Sequence, residues 1–207
     1  MRGPSAVDRT VLDRDMPRSP DSAAKAAAQD AKSGRRIAFV VGCPRSGTTL
    51  VQQLLNAHPR VSIGPETHYV RRFWLARDRY GDLRGEAAWS ALLRDVSAIP
   101  ELRDGDVDPA VFLAAASRLP HEHPALLRLL MELFAGDRDV AVIGEKTPNH
   151  VLHMRLLQDW FPEALFVHVL RDPRAVVNSW RTVPWSTGSV SGDAAVWRRY
   201  MRSAVRN

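Results

Sequence analysis

Short, wholly apolar runs alternate along the chain with stripes of helical period. Residues 37–41, IAFVV, are continuous and rich in β-branched side chains, as in a parallel strand buried on both faces. Residues 47–57 follow as a helix with Leu50, Val51, Leu54 and Leu55 on one side, ended by His58-Pro59. Residues 61–63 give a second short strand, and Gly64-Pro65 turns the chain so that Glu66 opens the next segment. Over residues 67–134 the spacing becomes helical: WSALLRDV, PAVFLAAASRL and PALLRLLMELF repeat apolar positions near 3.6, with Pro100, Pro109, Pro120 and Pro124 between them. Residues 140–143 and 164–170 are further strand candidates. The first leads into Gly144-Glu145-Lys146-Thr147-Pro148, where Thr147 or Asn149 can cap a helix burying Val151, Leu152, Leu156 and Trp160. The second stops at Arg171-Asp172-Pro173, and Pro173 starts a helix over residues 174–180. A polar loop over residues 181–192 precedes a last helix over residues 193–204.

Strand–loop–helix units recurring in this way predict an α/β fold. It is a three-layer parallel sheet with a phosphate-binding loop of the P-loop type and a helical insert, its sites at the carboxyl ends of the strands. Residues 1–36 hold Pro, Ser, Asp, Arg and an alanine cluster but little that is large and apolar. They predict a disordered tail, leaving residues 37–207 as one domain.

Composition narrows the classes without choosing among them. In 207 residues, 45% hydrophobic and 25% charged content is that of a globular domain with a real core. The net charge of +6 suits a multiply anionic substrate as well as it suits nucleic acid. A single cysteine, Cys43, excludes an intrachain disulfide and a cysteine zinc cluster, which favours a reducing cytoplasm. In the loop after the first strand it reads as a small packing residue. No run approaches the ~18 apolar residues of a membrane span, and no apolar signal-peptide core is seen, so a soluble cytoplasmic protein is expected. His121 with His123 and His150 with His153 lack further ligands nearby, so no metal is expected.

Candidate chemistry concentrates after the first strand. Gly42 and Gly47 are spaced as in G-x-x-x-x-G-K-[ST], so that backbone N–H groups and a helix N-terminus converge on an anion. Thr48 stands where that pattern has lysine, and the nearby cation is Arg45, inside the loop. Arg45 with the hydroxyls of Ser46, Thr48 and Thr49 suits a tetrahedral oxyanion. Magnesium-dependent triphosphate chemistry calls for the missing lysine and for a strand-end acid, whereas the strand over residues 164–170 ends in Arg171 first.

These segments resemble the sulfotransferases that use 3′-phosphoadenosine 5′-phosphosulfate, and most closely their tyrosylprotein-sulfotransferase-like bacterial branch. CPRSGTTL is similar to the family's 5′-phosphosulfate loop, which places Arg45, Ser46, Gly47, Thr48 and Thr49 on the donor. FVHVLRDPRAVVNSW is similar to its 3′-phosphate motif, with Arg171 at a strand end and Ser179 eight residues later. NAHPRVSIGPETHYV is similar to the segment in which a Glu before Thr is the general base, here Glu66, 21 residues after Arg45. GEKTPNH is similar to a strand-end segment whose lysine, here Lys146, lies near the transferred group. The resemblance implies sulfuryl transfer from that donor to a hydroxyl or amine of a small molecule, carbohydrate or peptide, with adenosine 3′,5′-bisphosphate as product. Glu66 would be the base, and Arg45 with Lys146 would stabilise the transferring group. Family chains normally continue through another strand and a glycine-rich segment, so a domain incomplete at its C-terminus is expected. Two alternatives stay open: a P-loop nucleotide-dependent phosphotransferase, and an inactive nucleotide-binding remnant.

Overall fold

The computed structural model describes residues 34–206. The expected tail therefore lies mostly outside the described residues. Two residues assigned to it are described and ordered: Arg35 pairs with Glu132 at 2.6 Å and Arg36 belongs to the first strand.

Four parallel strands, β1 (Arg36–Gly42), β2 (Val61–Gly64), β3 (Val142–Lys146) and β4 (Leu165–Val169), stand in the order β2-β3-β1-β4. β1 is central, and its alternate residues serve opposite faces. Ile37, Phe39 and Val41 enter the larger core, whereas Ala38 and Val40 pack with Ile63 against the other layer. That other layer includes α1 (Thr48–Asn56), which supplies Val51 and Leu55.

The larger core is closed by the helical insert between β2 and β3. A π-helical turn (Val70–Trp74) and a 3-10 turn (Arg77–Arg79) lead into α2 (Glu86–Ser97), α3 (Pro100–Asp104), α4 (Pro109–Ala116) and α5 (His123–Ala135). Pro100, Pro109 and Pro124 each fall in the first helical turn, where the missing N–H costs nothing. Trp89, Leu92, Leu126, Leu130 and Phe112 are buried here, each adding about 1.5–3 kcal/mol of transfer free energy. After β3 come a 3-10 segment (Pro148–His153) and α6 (Met154–Trp160). After β4 come α7 (Pro173–Trp180) and α8 (Val190–Arg206).

Four expectations shift, one being the last helix, which begins at Val190 inside the expected loop. In α1, Val51 and Leu55 face the sheet, but Leu50 and Leu54 are exposed. The inward face is completed instead by Gln52 and Asn56, which bond the backbone of edge strand β2. The third strand starts later than expected and runs on through Glu145 and Lys146, since these polar residues still pair in register with Phe39 and Val40. The helix expected from Asn149 is first a 3-10 segment, with no side-chain cap from Thr147.

Candidate active site

β1 passes into the cradle with little room to spare. A Cβ on Gly42 would lie 2.6 Å from the Val169 carbonyl oxygen, so only glycine lets β4 approach there. Gly47, at φ 96°, precedes α1 and offers its first-turn amides no side-chain cap, an arrangement that suits an anion. Arg45 has φ 69°, a left-handed conformation unusual for a non-glycine residue. Ser46 and Thr48 are buried and Thr49 is exposed. The Ser46 hydroxyl is buried without a protein partner, which fits a loop whose hydrogen bonds are meant for a bound oxyanion.

The loop is held from the β4 side. Trp180 of α7 donates its indole N–H to the Pro44 carbonyl at 3.1 Å. Arg171, just past β4, donates from Nη1 to the Arg45 carbonyl at 3.0 Å. Arg45 donates from Nε to Ser179 Oγ at 3.1 Å. Arg45, Arg171 and Ser179 thus form one cluster, two guanidinium groups and a hydroxyl beside the cradle. Asp172 caps α7 through the Arg174 N–H and pairs with the Arg174 side chain. Those hydrogen bonds hold its carboxyl down at about 2.

A second group lies past β2 and β3. Lys146 Nζ sits 2.7 Å from Glu66 Oε2, the lysine nearly buried and the carboxylate one-third exposed. His68 Nε2 lies 3.3 Å from the other Glu66 oxygen. Burial pulls the His68 imidazole below its usual 6.5, opposed by Glu66 and reinforced by Arg71, Arg72 and His150, so it is uncharged at neutral pH. Lys146 therefore supplies the positive charge next to the carboxylate.

Together these residues line the carboxyl edge of the sheet in strand order: Glu66 after β2, Lys146 ending β3, the cradle after β1 and Arg171 after β4. With strands about 4.8 Å apart, the row spans roughly 14 Å, the scale of a nucleotide with its phosphates.

Cys43 is fully buried and its thiol is pushed up to about 12 by burial, so it packs rather than reacts. His123 contacts the Tyr69 hydroxyl and His150 approaches Glu145. Among the described residues no three His, Cys, Asp or Glu converge as a metal site. Sequence reasoning missed His68, the Trp180 clamp and a buried cluster of Thr67, Glu145 and His150. The last was hidden because the apolar run stops at Ile143, whereas the strand continues through Glu145.

A model described as the Sulfotransferase family matches residues 38–207, which takes in all four strand ends. The chain belongs to the sulfotransferase family. Protein-tyrosine sulfotransferase A of Caenorhabditis elegans is 30% identical over 142 residues, 68% of this chain and 32% of that protein. Nodulation protein NoeE of Sinorhizobium fredii is 30% identical over 156 residues, 75% of this chain and 33% of that one. Human protein-tyrosine sulfotransferase 1 is 28% identical over 144 residues, covering 69% and 33%. Against these three sulfotransferase-family matches the chain spans about a third of the relative's length. Among solved structures, sulfotransferase STF1 of Mycobacterium tuberculosis aligns over 90% of this chain and 62% of its own, at 20% identity and a TM-score of 0.45.

Proposed function

We propose that this sulfotransferase-family chain carries the donor-binding and proton-abstracting groups for sulfuryl transfer from 3′-phosphoadenosine 5′-phosphosulfate to a hydroxyl. The strand-order row of Glu66, Lys146, cradle and Arg171 carries the proposal. It separates a carboxylate at one end from a guanidinium pair at the other, with an oxyanion loop between. When bound, the donor supplies the sulfuryl group and a phosphate leaving group.

The chain's own residues divide the work. Arg171 and Ser179 hold the 3′-phosphate, and Arg45 reaches the same cluster. Gly47, Ser46, Thr48 and Thr49 offer backbone and hydroxyl donors to the 5′-phosphosulfate. Glu66 takes the acceptor's proton as the acceptor oxygen bonds to sulfur and the sulfur–phosphate oxygen bond breaks. Lys146, held against Glu66, places positive charge where negative charge develops. Relatives named protein-tyrosine sulfotransferase support a phenolic acceptor. The side on which Glu66 is partly exposed is where that acceptor would enter.

Transfer of radiolabelled sulfate from the donor to phenols and tyrosine peptides tests the proposal. Glu66→Gln is expected to lower the transfer rate about 10²–10⁴-fold, with adenosine 3′,5′-bisphosphate affinity unchanged. Equal rates in the variant and wild type would remove Glu66 from the base role.

A further inference from the structure

The catalytic pair proposed above rests on a second, hidden pair made by the neighbouring residues. Glu66 is followed by Thr67, and Lys146 is preceded by Glu145. Lys146, nearly buried, meets the partly exposed Glu66, while beneath them the Thr67 hydroxyl donates to Glu145 Oε2. Two consecutive residues from one segment are thus cross-tied to two consecutive residues from another. Thr67 and Glu145 have no exposed surface at all, whereas Glu66 is one-third exposed.

Both members of the hidden pair are fixed in turn. Thr67 Oγ1 accepts the Tyr69 N–H at 3.1 Å, and its carbonyl accepts from Arg72 Nη1 at 3.0 Å. Arg72 is anchored to Glu101 of α3 at 2.7 Å. Glu145 pairs in register with Phe39 in the middle of the sheet. Its Oε1 lies 2.8 Å from His150 Nδ1, close in distance though not aligned as a hydrogen bond. The His150 ring in turn sits edge-on to Phe39, with centroids 6.2 Å apart.

An ionisable side chain with no solvent access is a poor way to stabilise a core. Apolar residues of similar volume generally serve that purpose as well or better. Polar groups of this kind are informative when they fix a geometry, because an acceptor of defined direction orients its donor. Here the oriented donor is covalently next to the proposed base, and the acceptor is covalently next to the lysine.

We infer that Glu145 and Thr67, backed by His150, are positioning residues for the Glu66–Lys146 pair. Their bond sets the register between the segment after β2 and the end of β3. With that register set, the Glu66 carboxylate and the Lys146 ammonium meet at the mouth of the site. The inference rests on the sulfotransferase role proposed for Glu66 and Lys146. Neither positioning residue touches substrate.

Thr67→Val removes the hydroxyl at nearly constant volume, and Thr67→Ser keeps it. The experiment measures sulfate transfer to 4-nitrophenol, calorimetric affinity for adenosine 3′,5′-bisphosphate, and the crystal structures of both variants. Thr67→Val is expected to lower kcat by about tenfold to a hundredfold, with bisphosphate affinity within about twofold and Lys146 drawn away from Glu66. Thr67→Ser is expected to restore both rate and contact. A Thr67→Val protein that keeps the wild-type rate, or loses nucleotide affinity in step with rate, overturns the inference. If the wild type binds no bisphosphate, the sulfotransferase proposal fails by itself. The positioning claim is then decided by the crystal structures, and an unmoved Glu66–Lys146 contact in Thr67→Val overturns it.

Discussion

Arg45 is the residue at which backbone strain and the proposed donor binding meet. Its left-handed backbone costs a non-glycine residue about 1 kcal/mol, while its side chain and carbonyl join the cluster with Ser179 and Arg171. Arg45→Gly is therefore expected to leave stability unchanged or raise it by up to about 1 kcal/mol, while weakening bisphosphate binding. A urea titration beside calorimetry checks both, and a variant that loses stability would contradict the account of strain. At this scale the candidate residues were legible one by one, and their mutual contacts were not. Gly42, Gly47 and Arg45 stand out by their spacing in one short segment and Arg171 with Ser179 in another, although the contacts that join the two segments through Arg45 span 126 and 134 residues. Glu66 and Lys146 were legible only as separate candidates. Their 2.7 Å contact joins residues 80 apart in sequence, and no local pattern encodes it. His68 was invisible for a different reason: its partner Glu66 is only two residues away, but the left-handed backbone of His68 at φ 54° is not marked by its residue type.

Among the elements, α1 departs most instructively from its pattern. Its four apolar residues suggest one buried face, yet Leu50 and Leu54 point outward. Asn56 accepts the Ile63 N–H at 2.7 Å and donates to the Ile63 carbonyl at 2.9 Å, closing the free edge of β2. Gln52 adds bonds to the Ile63 and Gly64 carbonyls. Covering an edge strand in this way satisfies backbone groups that would otherwise be open to pairing. Asn56→Ala is expected to cost about 1–3 kcal/mol, because a buried backbone donor loses its partner. The urea midpoint measures this, and a loss under a few tenths of a kcal/mol would show that water replaces the side chain. Amphipathic period alone cannot show that a polar i, i+4 pair faces inward, since the partner is backbone rather than an apolar surface. The same limit hid the end of β3, where Glu145 and Lys146 interrupt the apolar run but keep their place in the ladder with β1.

For the whole molecule, one buried and one half-buried histidine give stability a pH dependence of definite sign. His123 is pulled from 6.5 to about 4 by burial and then by Arg77. His153 is pulled to about 4 by burial, then by His150 and Arg199. The unfolded chain takes up these protons below about 6.5, while the folded chain refuses them until about 4. Stability is therefore full above pH 6.5 and declines as the pH falls toward 4, by up to about 3 kcal/mol for each imidazole. Urea midpoints at pH 7.5 and 5 check the decline, and His123→Gln should flatten it. A midpoint independent of pH would contradict the burial assigned to both rings. The parallel sheet, its crossovers and the helical insert were all legible from alternating patterns. The order β2-β3-β1-β4 was not, because strand neighbours are chosen by long-range packing.

That order puts Glu66, Lys146, the cradle and Arg171 in a row, and the central claim is that the row grips a nucleotide carrying a 3′-phosphate. Calorimetry comparing adenosine 3′,5′-bisphosphate with adenosine 5′-monophosphate, on wild type and Arg171→Ala, tests this most directly. The bisphosphate is expected to bind the wild type more tightly by at least about tenfold, the scale of one charge-assisted contact, with Arg171→Ala erasing the difference. Equal affinity of the two nucleotides for the wild type, or a preference that survives Arg171→Ala, would contradict it.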